Sequence, residues 1–192
     1  MVVARSTSAG GPYTVIATLG ANTTSYSNTG LPANTRYYYV VRASNSFGTS
    51  ADSNEANAQT WPADIIIDNS SSGFTASGNW STGTSAADRY GADYRFRPTA
   101  AISDTAKWSF TVPQSRNYEI SAWWSQGTNR SAAAPYILPD STSVTRNQQT
   151  NGGKWNVLGT KNLSAGSHQV QLSCWATTGF TVIADAIKVS AK

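Results

Sequence analysis

The residues of this chain best equipped for chemistry are indoles, amides and guanidinium groups, and they gather in two stretches. One is Trp123-Trp124-Ser125-Gln126-Gly127-Thr128-Asn129-Arg130, running on to Tyr136; the other is 147–160, NQQTNGGKWNVLGT. An indole offers a flat apolar face and one N–H, which suits the C–H face of a sugar ring. Amides and guanidinium suit sugar hydroxyls and carboxylates. Bond-breaking chemistry needs other groups. Glu55 and Glu119 are the only glutamates, whereas glycoside hydrolysis needs two carboxylates facing each other across a cleft. His168 is the one histidine, no G-x-S-x-G elbow exists, and no His/Cys set has zinc spacing. The chain therefore reads as a binder, not a catalyst.

The elements that carry these residues read as short strands. Alternating runs such as YTVIATLG (13–20), TAKWSFTV (105–112), YEISAWWS (118–125) and HQVQLSCWA (168–176) are separated by Gly, Ser, Asn and Pro clusters. TTSYS (23–27) is expected to be a further short strand, and 69–93 a long polar loop. No helical period occurs, so the fold is expected to be all-β. Strand parity sorts the indoles. Tyr118, Ile120, Ala122 and Trp124 share one face, and Glu119, Ser121, Trp123 and Ser125 the other. Val170, Leu172 and Cys174 likewise oppose Gln169, Gln171, Ser173 and Trp175. Trp108 and Trp124 are thus expected in the core, Trp123 and Trp175 outside it, and Trp155 as a plug that anchors its loop.

At 192 residues with 39% hydrophobic and 11% aromatic content, the chain can bury one core or two small ones. Only 12% is charged, and the net charge of +4 reflects few acids rather than basic runs. Clustered Lys and Arg of the nucleic-acid-binding kind are absent, and no run has membrane-spanning length. Neither nucleic acid nor membrane is an expected partner. Cys174 stands alone and is expected to be a buried thiol. The N-terminal MVVARSTSAGG has no apolar signal-peptide core, so the chain reads as a piece of a longer secreted protein.

Residues 2–60 resemble the second half of a fibronectin type III domain. Gly30-Leu31 opens its corner, Thr35-Arg36-Tyr37 is similar to its tyrosine corner, and Tyr39, Val41 and Ala43 match the core face of the next strand. The two leading strands are missing, which implies a half-sandwich that exposes apolar surface and an unpaired edge, open to self-association. Trp61-Pro62-Ala63 forms a linker. Residues 64–192 resemble the golvesin C-terminal-like domain, also known as the xanthan-lyase-type carbohydrate-binding domain. The matching runs are DNSSSGFTASGNW (68–80), YGADYRF (90–96), WSQGTNRSAAAPY (124–136), NQQTNGGKWNVLG (147–159) and VIADAIKV (182–189). The resemblance implies a jelly-roll-like antiparallel β-sandwich, attached to secreted bacterial carbohydrate-active enzymes.

Candidate ligand-binding residues are Trp123, Trp175, Tyr90 and Trp80 as stacking groups, with Arg95, Asn129 and Arg130 as polar contacts. Each has a second reading: the rings as packing, the polar groups as loop braces. Gln148, Gln149 and Asn151 either meet hydroxyls or satisfy their own turn. Asp185 with Asp68, and with Asp64 as an alternative, is a candidate pair for a structural calcium, the only cofactor considered. The expected partner is a polysaccharide, with an acidic, xanthan-like one among the candidates; the alternative is a spacer that packs on neighbouring domains.

Overall fold

The computed structural model describes residues 1–192, which contain strands and turns and no helix. No helix is therefore long and apolar enough to cross a membrane. The chain forms two compact units, Met1–Ala63 and Asp64–Lys192.

The first unit holds β1 (Val2–Ser6), β2 (Thr14–Thr18), β3 (Arg36–Arg42), β4 (Ser44–Asn45), β5 (Gly48–Thr49) and β6 (Ala56–Gln59). Four of them make one antiparallel sheet in the order β2-β1-β3-β6, and β4 and β5 form a small hairpin. The turn between β1 and β2 uses Gly10 and Gly11 at φ +75° and +93°, a region where a side chain is strained. Glu55 fastens that turn, accepting from the Gly10 N–H at 2.8 Å and from the Tyr13 hydroxyl. The bond to Glu55 pushes the Tyr13 hydroxyl up to about 12.

Two expectations change in this unit. Residues 23–27 form no strand; 24–28 instead border one face of the sheet near Val3, Tyr39 and Val41, with Asn28 donating to the Tyr39 hydroxyl at 3.0 Å. The expected core face of Tyr37, Tyr39, Val41 and Ala43 is also not uniform. Tyr37 is buried, but so is Val40 on the opposite face beside Ala4, while Val41 is exposed. With a single sheet, no second sheet singles out one face for burial. The Arg5 guanidinium lies 4.7 Å over the Tyr37 ring, and no bond from the Tyr37 hydroxyl closes a tyrosine corner.

The second unit runs through β7 (Ile65–Asp68), β8 (Phe74–Thr75), β9 (Ser81–Gly83), β10 (Tyr94–Pro98), β11 (Thr105–Val112) and β12 (Arg116–Trp123). It continues with β13 (Ala134–Ile137), β14 (Ser143–Arg146), β15 (Asn156–Leu163), β16 (Gly166–Ser173), β17 (Thr181–Ala184) and β18 (Ala186–Ala191). A five-stranded sheet, β14-β13-β16-β11-β8, and a four-stranded sheet, β15-β12-β18-β7, supply the two faces of the core; β17-β10-β9 forms a third sheet. All these pairings are antiparallel. The alternation seen in the sequence is realised directly. Trp108, Phe110, Val112, Val170 and Leu172 point inward from the first sheet, and Ile120, Ala122, Ile187 and Val189 from the second. Each large aliphatic or aromatic side chain buried in this way contributes about 1.5–3 kcal/mol.

The polar stretch 69–93 also contains β8 and β9, both too short to show alternation. Ser121 and Ser173, on the outer parity, are nevertheless buried; Ser173 is occupied as acceptor from the Trp175 N–H at 3.1 Å. Cys174 is buried, as expected.

Candidate functional site

Three loops meet around Asp88. Its carbonyl accepts from the Trp123 indole at 2.9 Å, and its carboxylate accepts from the Gln126 N–H at 2.9 Å. The Gln126 side chain in turn accepts from the Gly152 N–H at 2.9 Å. A Cβ on Gly152 would lie 2.5 Å from both the Asp88 carboxylate and the Gln126 backbone nitrogen. This close approach is the physical role of Gly152-Gly153 in NQQTNGG. Trp124 ties the same loop from the core side, donating to the Thr150 carbonyl at 3.0 Å.

The stitched loops hold an aromatic trio. Tyr90 and Trp123 meet edge-on with ring centres 5.5 Å apart, Trp123 and Trp155 at 5.4 Å, and Tyr90 and Trp155 at 5.3 Å. Lys188 places its ammonium 5.3 Å over Trp155. All three rings are half-buried. Trp123 therefore does not stand free; its indole N–H and both neighbouring rings are already engaged. Trp155 belongs to this group and is more than a loop plug. Sequence reasoning missed Lys188, whose signal was its outward parity in AIKVS.

Trp175 is the open indole of the second unit, 62% exposed. Segment 100–102 runs alongside it, through bonds from the Ala100 N–H to the Cys174 carbonyl at 3.0 Å and from the Cys174 thiol to the Ile102 carbonyl at 3.4 Å. Ile102 on that segment is also exposed.

Trp80 and Arg95 come together at a third place, a cleft of about 650 Å³ lined by Asn69, Ser71, Phe74 and Ser77 as well. Trp80 is only 3% exposed. As an open stacking face it is therefore corrected, because β9 starts at the next residue and draws the ring into the core. Its indole nitrogen is buried and has no hydrogen-bond partner. Asn129 and Arg130 form a turn, Arg130 N–H to Gly127 carbonyl at 2.9 Å, with the Arg130 guanidinium bonded to the Asn129 side chain at 3.0 Å. The turn also covers the edge of β17, through the Ser131 N–H to the Thr181 carbonyl at 2.8 Å and the Thr181 N–H to the Asn129 carbonyl at 3.0 Å.

Gln148 is fully buried and meets no solvent. It donates to the Tyr136 hydroxyl at 3.0 Å and the Ile183 carbonyl at 2.8 Å, and accepts from the Ile183 N–H at 2.8 Å. Gln149 donates to the Thr128 and Arg130 carbonyls. His168 is half-buried and bonds the Ser164 carbonyl at 2.8 Å.

Asp185 is the joint where the chain leaves β17 for β18. It is 1% exposed; its carboxyl accepts from the Tyr90 N–H at 3.1 Å, and its backbone carbonyl accepts from the Trp108 indole at 3.3 Å. Burial, with smaller contributions from Asp68, Asp88 and Asp93, pushes its carboxyl up to about 8. One oxygen each of Asp68 and Asp185 is buried without a partner. No group of three or more His, Cys, Asp or Glu side chains is placed to hold a metal. Calcium takes six to eight oxygens, more than these two carboxyls supply by themselves.

Residues 65–191 match the Golvesin C-terminal domain. The chain belongs to this family. It is 32% identical over 133 residues to xanthan lyase of Bacillus sp. (strain GL1), covering 65% of this chain and 14% of that protein. The solved structure of Paenibacillus xanthan lyase superposes with a TM-score of 0.66 at 31% identity, over 73% of this chain and 14% of that one. A family 35 carbohydrate-binding module from an environmental isolate shares the fold, with a TM-score of 0.52 at 18% identity over 67% of this chain and 93% of the module. The golvesin-type unit is thus an all-β sandwich that shares the fold of that carbohydrate-binding module, and the chain spans about a seventh of its xanthan lyase relatives.

Proposed function

We propose that this chain is a non-catalytic accessory module that holds a secreted bacterial polysaccharide-degrading enzyme on its polymer. The observation that carries this reading is Trp175, an indole kept 62% exposed. Leaving so large an apolar ring in water is unfavourable unless a partner covers it. A pyranose lying on the ring would gain about 1–3 kcal/mol, by analogy with base stacking. The Tyr90–Trp123–Trp155 trio adds a second, more rigid contact, with Asn129 and Arg130 on a neighbouring loop. Family membership and the shared fold support the same reading.

Retardation in native gels containing xanthan, pectin or a soluble cellulose tests it. Binding through Trp175 predicts that Trp175→Ala weakens retardation about 5–100-fold. Unchanged mobility of the wild-type chain on every polymer would overturn the proposal.

A spacer role is the second reading, and a row across the four-stranded sheet favours it. Val157, Ser121, Lys188 and Ile66 lie directly opposite one another on its outer face, and Val157 and Ile66 are exposed. We read the first unit as an incomplete fibronectin type III sheet, whose exposed Val15 and Val41 offer a surface for a second copy or for the parent protein.

A further inference from the structure

Asn151 is the one asparagine of the chain that precedes a glycine. That pairing carries its own chemistry, because a glycine has no Cβ to keep its backbone nitrogen away from the asparagine amide carbon. In the reaction the Gly152 nitrogen gives up its proton and bonds to Asn151 Cγ. The Cγ–Nδ2 bond breaks, and the amide nitrogen leaves with a proton as ammonia. The succinimide ring so formed takes up one water. Opening at Cγ gives aspartate at 151, and opening at the main-chain carbonyl sends the backbone through the side chain as isoaspartate. Nothing is oxidised or reduced, and water is the only co-reactant.

The turn presents this pair and restrains it at once. Asn151 is exposed and sits at φ +59°, with Gly153 at φ +68°. Its amide nitrogen makes one long bond, to Thr150 Oγ1 at 3.4 Å, so the leaving group is open to water. The nucleophile is engaged instead. The Gly152 N–H donates to Gln126 Oε1 at 2.9 Å, which stabilises the proton that the reaction must remove. Asn156 fixes the rest of the turn, donating to the Asn151 and Lys154 carbonyls at 2.9 Å each. Gln126 is exposed and its own N–H is anchored on the Asp88 carboxylate at 2.9 Å, so its side chain has no part in the core.

The product does not fit the same space. A single added carbon on Gly152 falls 2.5 Å from the Asp88 carboxylate and from the Gln126 backbone nitrogen. Isoaspartate puts an extra carbon into the main chain directly before that glycine. Either product adds a negative charge beside a residue packed on the Asp88 carboxylate, where like charges repel. The strain is passed along a short segment to Trp155, which packs on Tyr90 and Trp123.

We propose that Asn151–Gly152 is a site of spontaneous deamidation held in check by the Gln126 side chain, and that conversion there loosens the Tyr90–Trp123–Trp155 trio. The inference is independent of what the module binds.

The test is incubation of the whole chain in neutral buffer, with the tryptic peptide 147–154 followed by mass and by chromatographic separation of aspartate from isoaspartate. The synthetic peptide NQQTNGGK is the unrestrained reference. Wild type should convert roughly tenfold or more slowly than that peptide, because the turn must open first. Gln126→Met is similar in size and lacks the oxygen acceptor; it should convert about 2–10-fold faster than wild type with its Tm unchanged, the worth of one hydrogen bond. Gln126→Glu keeps an acceptor and should restore the slow rate. The indole N–H resonances of Trp123 and Trp155 should shift in step with conversion. Three results would each overturn the inference: wild type converting as fast as the peptide, Gln126→Met converting no faster than wild type, or converted protein keeping wild-type indole resonances.

Discussion

Replacing Gln148 by Met should destabilise the second unit more than any exposed substitution can. β17 is an edge strand whose inner neighbour is β10, so the Ile183 N–H and C=O face away from the sheet. The Gln148 amide meets both, at 2.8 Å each, as a neighbouring strand would, and also donates to Tyr136 at 3.0 Å. Met fills a similar volume but offers no donor and only a weak acceptor. Two backbone groups then lose their partners in a site without solvent, at about 1–3 kcal/mol each, and the Tyr136 hydroxyl loses one bond of about 1 kcal/mol. The expected cost is about 4 kcal/mol, or roughly 12–16 °C in Tm for a unit of this size. Calorimetry, with denaturant unfolding followed by tryptophan emission, measures both quantities, and amide exchange at Ile183 should accelerate ahead of the rest. A loss below about 1 kcal/mol with β17 intact would refute the reasoning.

Other perturbations separate loops, protons and metal. Gly152→Ala puts a Cβ 2.5 Å from the Gln126 backbone nitrogen, so the loops around Asp88 must part; about 1–3 kcal/mol should be lost, with a shift in Trp123 and Trp155 emission. Asp185 holds its proton up to about 8 in the folded chain, whereas an unfolded Asp releases it near 3.9. Between those values the folded state binds more protons, so stability is full below about pH 4 and declines as pH rises towards 8, with a slope of up to about 1.4 kcal/mol per pH unit. Asp185→Asn should flatten that slope; an unchanged Tm–pH profile would show that the carboxyl titrates normally. Millimolar calcium or a chelator should leave the Tm at pH 6 within about 1 °C; a rise of several degrees with calcium would mean that backbone oxygens complete a cage around Asp68 and Asp185.

Strand parity made the sandwich legible. It separated Trp124 from Trp123 and Val170, Leu172 and Cys174 from Trp175, because a strand buried on one face leaves its period in the sequence. It failed where burial comes from the other direction. Ser121 and Ser173 have outward parity yet are buried, and β8 and β9 are too short to show a period at all. The candidate site was half legible. Trp80 and Arg95 were named singly, but only the fold brings them to one cleft with Asn69. Gln148 was readable as an amide in a Gly-rich turn, and nothing local told that its partner is Ile183, 35 residues away.

Gln148 and Arg95 both carry buried polar atoms, and they differ in what those atoms meet. Every polar atom of the Gln148 amide is bonded to protein, so removing it leaves orphans and must lower stability. Arg95 bonds no protein side chain, and its Nε is already an orphan, so the folded chain bears the cost of keeping it. Removing such a group is neutral or stabilising, since replacement by an apolar chain erases the desolvation cost. Arg95→Met should therefore keep or raise the Tm by a degree or two, the opposite pattern to Gln148→Met. A fall of more than about 1 kcal/mol in Arg95→Met would refute this, because it would mean that the guanidinium braces the surrounding strands despite its unmatched nitrogen.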